Sequence, residues 1–294
     1  MKVGIFGQFY HQHSEQPIQH FLDALKKTDV EVAVEKNFLE LIKHHDGIDT
    51  NVATFSSFTE LDKSYDLFFS IGGDGTLLKA VTFVRDLGIP IAGLNTGRLG
   101  FLATIQKEHI ETSIQEMIAG NFKISQRALL AIETTPDSNE IGELNFALNE
   151  IAINRKNTTS MIKVETYVDD EHLASYWSDG MIVSTPTGST GYSLSCGGPI
   201  MDPGSKSIVL TPIAPHNLNA RPFVLPDKAE IKLKVTGREK SYLISLDSRI
   251  ATLTDDTEIR IKKAGFSIKL AQLKEDSFIK TLREKLLWGE DKRN

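Results

Sequence analysis

The stretch from Ser70 to Ala80 reads SIGGDGTLLKA: an apolar strand, two glycines, an aspartate, a third glycine, a threonine and then a helical pattern. Glycines after a strand let backbone N–H groups close on an anion, and the free N–H groups of a helix start meet phosphate oxygens. Gly72, Gly73 and Thr76 form such a turn, with Lys79 one helical turn further in. Asp74 places a negative charge where a phosphate would approach. Two readings of it stay open. It is either a carboxylate that orients an attacking hydroxyl and accepts its proton, or a side chain that caps the helix it opens. No GxxxxGKS/T occurs and no GxGxxG follows the first strand, so neither the P-loop nor the dinucleotide fingerprint applies.

Two further constellations carry chemistry. ALNEIAI sets Asn149 and Glu150 in an otherwise apolar run. A polar pair there is costly unless partnered; it is either a ligand clamp, an amide and a carboxylate for a base edge and a ribose diol, or an edge position facing water. SDGMIVSTPTGSTGYSLSCGGP (Ser178 to Pro199) packs Asp179, Thr185, Thr187, Ser189, Thr190, Ser193 and Ser195 among small residues. Short hydroxyls and glycines offer many donors with little bulk, which suits a nucleotide. Tyr192 is placed either to stack on an adenine or to sit in the core with its hydroxyl bonded. The pairs His11 and His13, His44 and His45 have no third ligand at metal spacing and read as surface histidines. Cys196 lacks a base partner, and Asp255-Asp256 fits a hairpin turn.

The chain that must position these residues has 294 residues, 40% hydrophobic and 24% charged, as in soluble globular proteins. One cysteine excludes a disulfide framework. The start, MKVGIFGQFY, has no long apolar stretch of a secretory signal, and no run approaches the ~18 apolar residues of a membrane span. A cytoplasmic protein without a membrane partner is the expectation. A net charge of −6 with no basic run argues against nucleic acid as a partner. Small anionic ligands remain open, since helix starts, a few cationic side chains and Mg2+ overcome a mildly acidic field.

Two textures divide the chain. Over residues 1–122 strands alternate with helices (KVGIFG, a helix through SEQPIQHFLDALKK, VEVAVEK, YDLFFSIGG, a helix from about Gly75 to Leu87, IPIAGLNT, KEHIETSIQEMIAG), which predicts an α/β domain on a Rossmann-like parallel sheet. Over 123–272 nearly everything reads as strand separated by turns, an all-β domain of packed sheets. The tail, 273–294, turns helical and is expected to return to the first domain.

GGDGT, NTGRLGFLA, LNEIAI, SDGMIVSTPTGSTGYSLSCGGP and LDS, in this order from about residue 66 to 250, resemble the NAD kinases. GGDGT alone is shared with lipid kinases and phosphofructokinases; the NE pair with TPTGSTGYSLS is the specific part. The resemblance implies two domains and transfer of a phosphoryl group to the adenosine 2′-hydroxyl of NAD+, giving NADP+, with ATP as donor and a divalent metal, Mg2+, accompanying it. It makes Asp74 the proton acceptor and puts Gly75 and Lys79 on the dinucleotide-binding turn. Asn149 and Glu150 match the NE pair. Asp179, Thr190, Gly191, Tyr192, Ser193, Leu194 and Ser195 match contacts to adenosine and ribose, Phe101 an apolar position near the adenine, and Ala214 a backbone contact. Arg249, two after Asp247, stands where many bacterial members carry Gln and is placed at the dinucleotide. No protein-only metal site is implied, and a homodimer or homotetramer is expected. A diacylglycerol-type lipid kinase would share the turn and a β-rich second domain, but the hydroxyl-rich stretch speaks for a nucleotide. A non-catalytic dinucleotide sensor would bind without forming product.

Overall fold

The computed structural model describes residues 1–8, 15–43, 51–157 and 159–288. The chain clusters into two compact units, Met1–Gln126 with Ile268–Asn294, and Arg127–Ser267.

In the first unit β1 (Lys2–Gly7), α1 (Glu15–Lys26), β2 (Glu31–Glu35), α2 (Lys36–Ile42), β3 (Ala53–Phe55), β4 (Leu67–Ile71), α3 (Asp74–Val84), β5 (Ile91–Asn95), β6 (Ile105–Gln106) and α4 (Ile110–Ile118) follow one another. The strands pair in parallel in the order β3-β2-β1-β4-β5, with β6 beside β5. β4 and β5 are buried along their whole length, as a sheet covered on both faces requires. The order reverses between β1 and β4, and ligands of such sheets bind at the carboxyl ends beside that reversal. The glycine turn after β4 stands there. The sequence pattern read VEVAVEK as one strand, whereas α2 begins at Lys36. The buried Glu35 explains the switch: its carboxylate accepts the Phe38 N–H at 2.8 Å and caps the new helix.

The second unit takes over within β7 (Phe122–Thr135). It contains β8 (Phe146–Ala147), β9 (Glu150–Arg155), β10 (Ile162–Val168), β11 (Glu171–Ser178), β12 (Gly180–Ser184), α5 (Tyr192–Ser195), β13 (Ser207–Ile213), β14 (Phe223–Pro226), β15 (Ile231–Thr236), β16 (Ser241–Leu246), β17 (Arg249–Thr254) and most of β18 (Glu258–Leu273). One antiparallel sheet runs β14-β13-β12-β9-β16-β17; β11, β10, β15 and β18 are successive neighbours in the other. Alternate residues of both sheets, among them Ile151, Ile153, Val183, Leu210, Leu233 and Ile244, form one core. Asp255-Asp256 is a turn as expected but not a hairpin, because β17 and β18 belong to different sheets. The last residues of β18 lie in the first unit, where Leu270 pairs in parallel with Ile91.

α6 (Phe278–Leu286) also belongs to the first unit, with Ser277 capping it by accepting the Lys280 N–H. Its Phe278 ring lies 6.4 Å from the ring of Phe101, and Lys285 Nζ lies 5.7 Å from the same ring.

Candidate functional site

In the first unit the turn fixes Asp74 by contacts that neither sequence reading foresaw. Gly73, not Asp74, is the N-cap of α3, and Asp74 makes no cap bond. Its carboxylate reaches the loop after β5: Oδ2 accepts the Phe101 N–H at 2.8 Å, and Oδ1 accepts those of Leu102 and Ala103, both at 3.0 Å. A carboxylate has about four acceptor positions. Three are filled, and the one remaining is on Oδ2. Gly100 makes the approach possible, since a Cβ there would lie 1.9 Å from Asp74 Oδ1. Asn95 shapes the loop: buried at the end of β5, it donates to Arg98 O and accepts the Gly97 N–H at 2.7 Å.

Gly72 and its neighbours have different reasons to be glycine. Gly72 has φ +151°, and a Cβ would press 2.3 Å from Thr76 Oγ1, which is buried without a partner. Gly73 and Gly75 have nothing within 4 Å of an added Cβ. The fold does not demand glycine at these two positions, so the space beside the helix start, on both sides of Asp74, is open to a ligand. Lys79 is exposed, its ammonium 5.9 Å from the Phe6 ring centroid.

In the second unit Asn149 and Glu150 stand at the start of β9 with every backbone polar group bonded. Asp247 accepts the N–H groups of Leu148 at 2.9 Å, Asn149 at 2.8 Å and Glu150 at 3.2 Å, and its own N–H donates to Glu150 O. Thr185 Oγ1 donates to Leu148 O, while the Thr185 N–H and Ser184 Oγ donate to Asn149 O. The side chains are left over: Asn149 Oδ1 and Glu150 Oε2 are buried and have no partner. An added Cβ at Gly191 would lie 3.0 Å from Glu150 Oε2 and 3.6 Å from Asn149 Nδ2.

Burial, and next the charge of Asp247, push the Glu150 carboxyl up to about 8, against the pull of the Tyr192 N–H. Asp247 is raised by burial and lowered by its three backbone donors and Arg249. Asp247 has donors on both oxygens and Glu150 Oε2 has none. Burial thus makes Glu150 a weak acid, and a donor brought to the unpartnered Oε2 would favour its ionised form.

Asp179, between β11 and β12, is held by Arg155 (Nε to Oδ1, 2.9 Å). Together with Asn154, Thr159 and the exposed Tyr192 it lines an open cavity of about 550 Å3. Tyr192 is thus not a core tyrosine; its hydroxyl reaches Asn154 Oδ1 at 3.5 Å. Much of the hydroxyl-rich stretch serves the fold. Ser189 and Ser193 are fully buried, the first bonded to Pro186 O and Met201 N, the second to Thr211. Thr190 Oγ1 donates to Thr187 O. Leu194 is half-buried and Ser195 exposed on α5. Ala214, after β13, is exposed and takes a left-handed φ of 43°, a costly conformation for a residue with a Cβ. Arg249 bonds the carbonyls of Leu144 and Phe146 and lies over the Phe146 ring.

The four histidines of the two sequence pairs lie outside the described residues. Among the described residues no group of three or more His, Cys, Asp or Glu could hold a metal ion. No helix among them is long and apolar enough to cross a membrane. Sequence reasoning quoted the motifs that hold Asn95 and Asp247 (NTGRLGFLA, LDS) but gave neither side chain a role. Their signal was local: each is a carbonyl-bearing side chain where a strand ends in a turn (LNTG, LDS).

Residues 3–122 match the family model of the ATP-NAD kinase N-terminal domain, and residues 148–273 that of the C-terminal domain. NAD kinases of Christiangramia forsetii and Flavobacterium psychrophilum are 58% and 53% identical to this chain over all of both sequences. An NAD kinase from Archaeoglobus fulgidus, solved in complex with ATP, superposes with a TM-score of 0.75 at 25% identity, covering 98% of this chain and 99% of that one. Yeast NADH kinase, solved with NADH, shares the fold with a TM-score of 0.86 at 24% identity over 99% of this chain and 88% of its own. With both halves matched and full-length relatives above half identity, the chain belongs to the NAD kinase family.

Proposed function

We infer that the protein phosphorylates the 2′-hydroxyl of the adenosine ribose of NAD+, with ATP as donor, to give NADP+ and ADP. The observation that carries this reading is a pair of acceptor oxygens, Asn149 Oδ1 and Glu150 Oε2, buried without partners on a fully bonded backbone. Such oxygens are costly unless a donor arrives. The hydroxyls of a ribose and the amino group of an adenine are donors of that kind. Asp179 and Tyr192 are assigned to the same nucleoside at their cavity. Thr190, Gly191, Leu194 and Ser195 are assigned to that nucleoside as well, Ser193 through its backbone and Ala214 through its carbonyl.

The first unit supplies the chemistry. Gly72, Gly73, Gly75 and Thr76 receive phosphate oxygens at the open helix start, assisted by Lys79, and Phe101 presents an apolar face to the base. Asp74 Oδ2 has one acceptor position left, and the 2′-hydroxyl takes it. The hydroxyl oxygen attacks the γ-phosphorus and a new P–O bond forms. The bond to the β–γ bridging oxygen breaks, its electron pair leaves with ADP, and the hydroxyl proton passes to Oδ2. Three N–H bonds hold the carboxylate still, so this orientation costs no reorganisation when the hydroxyl arrives. Mg2+ is assigned to the donor substrate, carried on the ATP phosphates, as its preference for phosphate oxygens and water favours.

A cytoplasmic homodimer or homotetramer completes the reading, with no nucleic-acid or membrane partner. The test is a panel of phosphoryl donors (ATP, other triphosphates, polyphosphate) against NAD+ and NADH, with product identified by phosphorus NMR. NADP+ formed from NAD+ and Mg-ATP supports the reading; binding of NAD+ with no product under any donor supports a sensor.

A further inference from the structure

We propose that Asp247 and Arg249, the two residues flanking Ser248 in the turn from β16 to β17, are positioning residues that set the dinucleotide affinity by clamping the backbone from residue 144 to 150. The inference rests on the assignment of Asn149 and Glu150 to the dinucleotide.

The two side chains divide the work by charge. The segment leaves β8 at Ala147 and enters β9 at Glu150, so the peptides between them belong to no ladder. Their N–H groups would be orphaned in a buried place, a costly condition. The Asp247 carboxylate takes three of them, those of residues 148, 149 and 150. The Arg249 guanidinium takes two carbonyls upstream, Leu144 O and Phe146 O, a forked geometry that a lysine cannot reproduce. The clamp is itself fixed. Asp247 Oδ2 and Arg249 are 3.9 Å apart, the Asp247 side chain is only 4% exposed, and its backbone is in the left-handed region with φ 53°. Thr185 and Ser184 hold the carbonyls of residues 148 and 149 from the other side. The consequence is directional: with the main chain bonded throughout, Asn149 Oδ1 and Glu150 Oε2 can be presented only one way. Loss of the clamp should therefore appear in dinucleotide binding rather than in ATP use.

The test compares the full-length wild type with Asp247→Asn and Arg249→Lys. Asn tolerates the left-handed backbone as Asp does, but its NH2 group faces an N–H where an acceptor is needed. The expected result for Asp247→Asn is faster amide hydrogen exchange at residues 148–150. KM for NAD+ should rise about ten- to hundredfold while KM for ATP changes less than about twofold. Arg249→Lys should move the same quantities in the same direction, KM for NAD+ by about threefold, and it carries the test alone should Asp247→Asn not fold. Faster exchange with an unchanged KM for NAD+, or equal losses for NAD+ and ATP, would overturn the proposal. Amide exchange does not depend on turnover, and wild-type NADP+ formation is checked first. A wild type that makes no NADP+ therefore rejects the functional reading, whereas an active wild type with insensitive variants rejects the clamp.

Discussion

Asp74 in the first unit and Asp247 in the second are each gripped by three successive backbone N–H groups, of residues 101–103 and 148–150. The same bonding pattern has different consequences because the surroundings differ. Asp74 is half-buried, flanked by Gly73 and Gly75 with open space, and one of its roughly four acceptor positions is unfilled. Asp247 is closed in, with Arg249 3.9 Å away and only 4% of its side chain exposed. In the first case the backbone immobilises a carboxylate; in the second a carboxylate immobilises the backbone, and the neighbouring Asn149 and Glu150 supply the unpartnered oxygens. What a three-amide grip does is decided by which partner is left exposed.

The comparison can be broken at several points. The largest expected effect belongs to Asp74→Asn, which keeps a carbonyl for part of the amide grip and loses the proton acceptor: kcat should fall by about 10²- to 10⁴-fold in a steady-state assay. Near-normal kcat would remove Asp74 from the chemistry. Gly100→Ala should approach the lower end of that range, about 10²-fold, because a Cβ 1.9 Å from Oδ1 forces the carboxylate out of place. Its contrast is Gly75→Ala, which meets nothing within 4 Å. The thermal midpoint should stay within about 2 °C while activity falls, if phosphates use that space; unchanged activity would show that they do not. In the second unit Glu150→Gln should raise KM for NAD+ about tenfold through the changed acceptor, with a smaller effect on kcat.

The smallest effects are in pH. Glu150 is shifted from 4.5 to about 8, so the folded protein holds a proton that the unfolded chain releases. Its contribution to stability is full below about 4.5, declines as pH rises, and is gone above about 8. The midpoint difference between wild type and Glu150→Gln, followed from pH 5 to 9 by thermal scans (roughly the window of that shift), should change by a few degrees in that sense. A hydroxyl donor favours the ionised carboxylate, so NAD+ affinity should also rise toward about pH 8 in the wild type and lose that slope in the variant.

Much of this was legible in the sequence, for physical reasons that can be named. Strands such as β4 and β5 read as continuous apolar runs because both sheet faces are covered, and the second unit read as strands because alternate residues fill its core. GGDGT reads as an anion turn because glycines at a helix start leave room beside the backbone, and Gly73 and Gly75 have nothing within 4 Å of an added Cβ. What stayed hidden was long-range. Asp74 bonds amides 27 to 29 residues away, and Asp247 bonds amides 97 to 99 residues away, which no local pattern encodes. The capping alternative for Asp74 failed for the same reason. The hydroxyl-rich stretch read as ligand contacts because composition counts donors without showing where they point; Ser189 and Ser193 point into the fold.

The division of labour between the two aspartate grips is tested most directly by calorimetric titration of NAD+ into Asp74→Asn and Glu150→Gln side by side. The account predicts that Asp74→Asn binds NAD+ within about threefold of wild type and that Glu150→Gln binds it about tenfold more weakly. An Asp74→Asn protein that loses NAD+ as Glu150→Gln does, yet still turns over, would contradict it.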